Sequence, residues 1–159
     1  MVNAAVQVVR KMGAAALTAK SLAEELGTST QPVFTCFGTM DTAKAEVYAA
    51  AERLFHEYLT EGLKEKIPFY GFGTQYIRFA REDPELYRLL FLMRPDDLGS
   101  GAFAAMRHMQ ELVRPSLTGI YHIDAQEADR YFRDLWLVVH SLSTLIVTGD
   151  CPYSDREIG

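Results

Sequence analysis

The chain has 159 residues, a hydrophobic content of 48% and a net charge of −5. That is enough apolar material for one domain of generous size, or for a small domain joined to a medium one. The acidic balance argues against a uniformly basic nucleic-acid binder, and no stretch approaches the roughly 18 apolar residues of a membrane span.

The charge is uneven. Residues 1–45 carry Arg10, Lys11, Lys20 and Lys44 against Glu24, Glu25 and Asp41, so the acidic excess lies beyond them. That permits a DNA-facing N-terminal end. Cys36 and Cys151 lie far apart without metal-ligand spacing, which predicts reduced thiols and a cytoplasmic location. The first residues, MVNAAVQVVRKMG, lack the charged-then-apolar order of a signal peptide.

Strand signals are nearly absent and helical periodicity recurs throughout, which predicts an all-α fold. Residues 3–12 place Ala5, Val6, Val9 and Met12 on one face, closed by Gly13. Thr18 suits the N-cap of a second helix, Ala19 to Leu26, with Leu22, Ala23 and Leu26 inward and Gly27 as its left-handed stop. In GTSTQPVFTCF, Ser29 is expected to cap a short third helix. Pro32 is tolerated in its first turn, where a missing N–H has no helical partner to lose.

Gly38-Thr39 ends that helix, and Thr39 opens a long one to about Lys64 with Val47, Ala51, Leu54 and Tyr58 inward. Pro68 predicts a break. Further helices are expected over 72–81, from Pro84 to about Met93, over 102–117 and over 125–147, with 95–101 as a loop or linker. No internal repeat or low-complexity tract is present.

Residues 19–37 form two helices around a tight turn: small Ala23, Gly27 four residues on, then Val33 six further. A helix-turn-helix needs this spacing, although a helical hairpin in a core can share it. In the DNA-binding motif the second helix enters the major groove with its N-terminal residues at the base edges. Gln can pair with adenine, Thr offers a hydroxyl or methyl, and free N–H groups favour phosphate.

The segment LTAKSLAEELGTSTQPVFTCFGTMDTAKAEV, residues 17–47, resembles the DNA-binding segment of the TetR family of bacterial transcriptional regulators. The family pattern runs Thr, Ile/Leu-Ala, Gly-Val-Ser, Tyr-x-x-Phe and a Lys-led helix. The rest of the chain resembles the family in architecture, with local likenesses such as YIRFAREDPELYRLLFL. The resemblance implies a helix-turn-helix DNA-binding domain over 1–45 and a helical ligand-binding and dimerisation domain over 46–159. It also implies a homodimer that binds a palindromic double-stranded DNA operator and is released by a small apolar or aromatic effector.

Carried onto this sequence, the resemblance assigns DNA contact to Thr18, Ser29, Thr30, Gln31, Phe34, Thr35, Cys36 and Lys44. Three positions depart from the pattern. Phe34 replaces a tyrosine and lacks its hydroxyl, Cys36 stands where a polar residue is usual, and Met40 takes the place of the leading lysine. The family's basic arm precedes its first helix, whereas here Met1 falls almost inside it. Each change removes a phosphate contact, which predicts weaker DNA binding than is usual.

The C-terminal part is rich in rings: Phe55, Tyr58, Phe69, Tyr70, Phe72, Tyr76, Phe79, Phe91, Phe103, Tyr131, Phe132 and Trp136. They can fill a core or line a cavity. Tyr76, Met106, Met109, Trp136 and His140 are the candidate ligand-binding residues, being soft or polar-tipped among apolar neighbours. His140 fits either ligand or pH sensing or a buried histidine bonded to a backbone carbonyl. Residues 125–147 are apolar on more than one face, as a helix shared by a core and a homodimer interface would be. The family pairs two such helices per subunit, and here the second would begin at SDREIG and stop.

No basic cluster flanks Cys36 to activate its thiol. REDPE at 81–85 and PDD at 95–97 read as caps and turns, not metal ligands. No catalytic residue, cofactor or phosphate loop is expected. A ligand-binding or protein-interaction module with weak or lost DNA binding is the alternative to the regulator.

Overall fold

A computed structural model of the chain describes residues 1–93 and 101–158. Among them every regular element is helical: α1 (Val2–Met12), a 3-10 turn (Ala14–Ala16), α2 (Ala19–Leu26), α3 (Gln31–Phe37), α4 (Met40–Gly62), α5 (Pro68–Glu82), α6 (Pro84–Tyr87), a π turn (Arg88–Leu92), α7 (Gly101–Tyr121), α8 (Ala125–Thr148) and α9 (Asp155–Ile158). The all-α expectation holds. The expected linker at 95–101 lies outside the described residues except for Gly101, which opens α7, and so do the PDD turn and the side chain of Phe103.

The chain divides into two compact units, Met1–His56 with Asp83–Gly99 and Glu57–Glu82 with Ser100–Gly159. In the first, α1 packs on both α2 and α6. That double contact buries Ala5, Val6, Val8 and Val9 together and leaves Met12, at the helix end, in solvent. Met12 is therefore not on the inner face that its spacing suggests. Arg10 reaches from α1 to Asp83 through two parallel bonds, Nε–Oδ1 at 2.5 Å and Nη2–Oδ2 at 3.0 Å. Asp83 precedes α6, and its carboxylate serves this pair instead of capping the helix.

The inner stripe of α4 also differs from the expectation. Ala43, Val47, Ala51, Phe55 and Leu59 are buried, while Leu54 and Tyr58 are half-buried. Burial at every fourth residue advances about 40° around the helix at each step, so the buried side of α4 turns along its length and leaves Leu54 and Tyr58 at its edge.

In the second unit α8 packs on α5 and α7. Pro68 starts α5 where the sequence predicted a break, so this helix begins four residues earlier than expected. Proline is suited to that first turn. Gly62 and Gly71 allow the end of α4 and the start of α5 to touch through their backbones. A Cβ on Gly71 would run into Gly62 O, and one on Gly62 would run into Gly71 O. α7 continues past the expected 117 to Tyr121 with Pro115 inside it, and Arg114 pairs with Asp129 of α8 at 2.6 and 2.9 Å. The segment from Pro84 is also more divided than expected, because helix α6 gives way after one turn to the wider π turn.

Candidate nucleic-acid interface and ligand site

The α2–turn–α3 unit is built by local chemistry. Thr18 Oγ1 accepts the Ser21 N–H at 3.1 Å, and Ser21 Oγ accepts the Thr18 N–H at 3.0 Å, forming a reciprocal capping box. At the other end Gly27 takes φ 65° and ψ 33°. Its N–H meets Glu24 O while the Thr28 N–H meets Ala23 O at 2.9 Å, a closure that needs a left-handed residue at Gly27. Ala23 and Val33 are both buried where α2 and α3 meet.

The start of α3 differs by one residue from the sequence expectation. Thr30, not Ser29, is the residue before the helix, and Gln31 opens it with Pro32 in the first turn. Thr30 has helical backbone angles, where a capping residue is usually extended, and makes no side-chain cap bond; Pro32, at the second helical position, has no N–H to offer it. Ser29 lies in the turn, where its carbonyl accepts from Thr28 Oγ1 at 3.0 Å.

Burial divides α3 cleanly. Val33 and Phe37 face inward, whereas Gln31, Phe34, Thr35 and Cys36 are exposed together with Ser29 and Thr30. The Thr35 hydroxyl donates to Gln31 O at 3.0 Å, so its methyl and its lone pairs remain for a partner. Thr18 is also exposed. Lys44 is half-exposed, with Nζ 3.5 Å from Asp41 Oδ1.

The second unit gathers three of the five candidate ligand residues. Tyr76 Oη lies 2.8 Å from His140 Nδ1, and Trp136 stacks on His140 with ring centres 4.7 Å apart. Tyr76, Trp136, Met106 and Met109 are buried, and His140 is half-buried. Burial holds the His140 pKa below its ordinary value, which favours the neutral ring. The side-chain partner of His140 is thus the Tyr76 phenol.

Two polar atoms in this interior, Trp136 Nε1 and Ser143 Oγ, are buried without a hydrogen-bond partner among the described residues. Ser143 was not singled out from the sequence. It sits seven residues after Trp136 on the face that buries Phe132 and Val139, and a polar residue on that face was the available signal. A groove of about 750 Å3 on the same unit is lined by Gly73, Ile77, Leu135, Val139 and Leu142 among others, and none of the five candidate residues is in its lining.

A family model described as the tetracyclin repressor-like C-terminal domain matches residues 69–157. The chain belongs to the TetR family. Comparison with curated proteins finds no match.

For this TetR-family chain the matched segment contains α5 from its second residue and the whole of α7 and α8, and with them the Tyr76–His140–Trp136 cluster. On α8 the exposed apolar side chains Tyr131, Val138 and Leu145 recur every seven residues and so form one strip along the helix. Phe132, Trp136, Val139, Ser143 and Val147 fill the buried face. Among the described residues no helix is long and apolar enough to cross a membrane.

Proposed function

We propose that this chain is a cytoplasmic, non-enzymatic transcriptional repressor that binds a palindromic operator as a homodimer and leaves it when a small apolar or aromatic effector binds. The observation that carries this reading is the exposed front of α3. Ser29, Thr30 and Gln31 stand in solvent, while Val33 and Phe37 anchor the same helix in the core. A helix held from behind, with an amide and hydroxyls at its free end, has the chemistry of major-groove readout.

Gln31 is the base-reading residue, and Ser29, Thr30 and Thr35 add hydroxyl or methyl contacts. Thr18 and Lys44 contact phosphate, while Phe34 and Cys36 contribute apolar surface against the duplex. The DNA-binding domain corresponds to residues 1–45 and the remainder supplies effector and dimer functions.

The effector occupies the interior around Tyr76, Met106, Met109, Trp136 and His140. An unpartnered indole N–H and a serine hydroxyl in an apolar interior favour a ligand with at least one acceptor oxygen. The effector shifts the population towards a dimer that no longer matches two half-sites about 34 Å apart. The exposed strip on α8 is the homodimer face.

Selection from random double-stranded DNA at near-physiological salt tests this function, with the protein unfolded and refolded beforehand to remove any carried ligand. The proposal expects enrichment of a two-fold symmetric site. No enrichment from folded, dimeric protein would favour the ligand-binding module without DNA function.

A further inference from the structure

A second cavity, of about 330 Å3, opens in the first unit. That volume lies at the lower end of sites that hold small molecules. Its floor is apolar, because Val9, Leu17, Val47 and Leu89 line it and are almost wholly buried. Its rim is polar, carrying Thr18, Lys44 and Tyr48.

Leu89 belongs to the π turn, which closes when the Met93 N–H meets Arg88 O at 2.8 Å. Such turns are rare, widen a helix locally and are frequent at functional sites. Here the widened turn supplies one wall of the cavity.

The rim selects the chemistry of an occupant. Lys44 faces Asp41 at 3.5 Å, but that carboxylate is 93% exposed, and so open a pair contributes little. A carboxylate seated over the apolar floor meets the same ammonium with less water around it. Tyr48 is half-buried, and burial, reinforced by Glu52, raises its pKa and keeps the phenol a neutral donor.

We infer that this cavity is a second small-molecule site, taking a compact apolar body with one carboxylate head, which Lys44 and Tyr48 bind. A medium-chain fatty acid and a monocyclic aromatic acid share that chemistry. Binding itself is independent of any DNA role. One consequence rests on the proposed regulator reading: Thr18 and Lys44 are also assigned to phosphate, so an occupied cavity competes with DNA.

The test uses the full chain, with sodium octanoate as probe and 1-octanol as the control without a charged head. Binding is followed through backbone amide shifts. Saturable binding is expected, with the largest shifts at Val9, Leu17, Val47 and Leu89. Lys44→Gln should weaken octanoate about tenfold, the scale of one charge-assisted hydrogen bond, and leave octanol unchanged. Ala15→Met, at an exposed position in the lining, should block both probes while the fold is retained.

Absence of saturable binding, shifts centred on α5 and α8, or equal weakening of both probes by Lys44→Gln would overturn the site. Because binding is read without DNA, a protein that takes octanoate but no operator upholds the site and counts against the regulator reading.

Discussion

The phenol oxygen of Tyr76 lies 2.8 Å from Nδ1 of His140, joining α5 to α8 inside the second unit. Trp136 stacks on a face of the same imidazole. Burial lowers the His140 pKa from its ordinary 6.5, so the folded protein binds that proton less readily than the unfolded chain does. The sign follows directly. Stability from this group is present above about 6.5 and is lost as pH falls towards the lowered folded value. Urea midpoints measured at pH 8 and pH 5.5 should drop more in the native protein than in His140→Gln. An equal drop in both would remove His140 from the account, since the other three histidines are common to the two proteins.

Gly71→Ala should destabilise the second unit by roughly 1–3 kcal/mol, the range of over-packing, because its Cβ would meet the Gly62 carbonyl as well as the Glu65 side chain, and the backbone oxygen cannot swing aside. Gly62→Ala should act similarly. The double variant should lose less than the sum, since either methyl already forces the two backbones apart. Calorimetric melting of the three variants checks this, and additive losses would argue against a shared contact.

Arg10→Met should cost about 2 kcal/mol, chiefly by leaving the buried Asp83 carboxylate without its cation. Arg10 remains about one-third exposed, which keeps the loss below that of a fully enclosed pair. Adding Asp83→Asn to Arg10→Met should recover part of the loss. A double variant no more stable than the single one would contradict that explanation.

Val138→Glu places a charge in the middle of the exposed α8 strip. Sedimentation should find the native protein dimeric and this variant largely monomeric, with unchanged helicity. A monomeric native protein would reject α8 as the homodimer face.

Local chemistry made the first unit legible in the sequence. Thr18, Gly27 and Thr39 act at helix ends, and the bonds they make lie within a few residues, as at Thr39 Oγ1, which accepts the Thr42 N–H at 3.1 Å. Val33 was legible because its burial follows from the glycine turn before it. Ser29 was misread by one position because three successive residues, Thr28, Ser29 and Thr30, are all cap formers and proline decides between them.

Tertiary contacts lay beyond local patterns. The burial of Val8 depends on packing against α6, and Asp83, just before that helix, meets Arg10 across 73 positions of sequence. Pro68 illustrates a signal with two meanings, since proline both ends one helix and starts another. In the proposed ligand region, Tyr76, Trp136 and His140 were legible as polar-tipped residues among apolar ones. Their mutual contact and the unpartnered Ser143 were set by the register of α5 on α8.

Base reading by the front of α3 is put to the test by Gln31→Ala. Affinity is measured for the selected operator and for unrelated duplex at the same salt. A loss of about tenfold or more is expected on the operator, consistent with one lost bidentate base contact, with little change on unrelated DNA. Equal losses on both, or none on either, would contradict base reading.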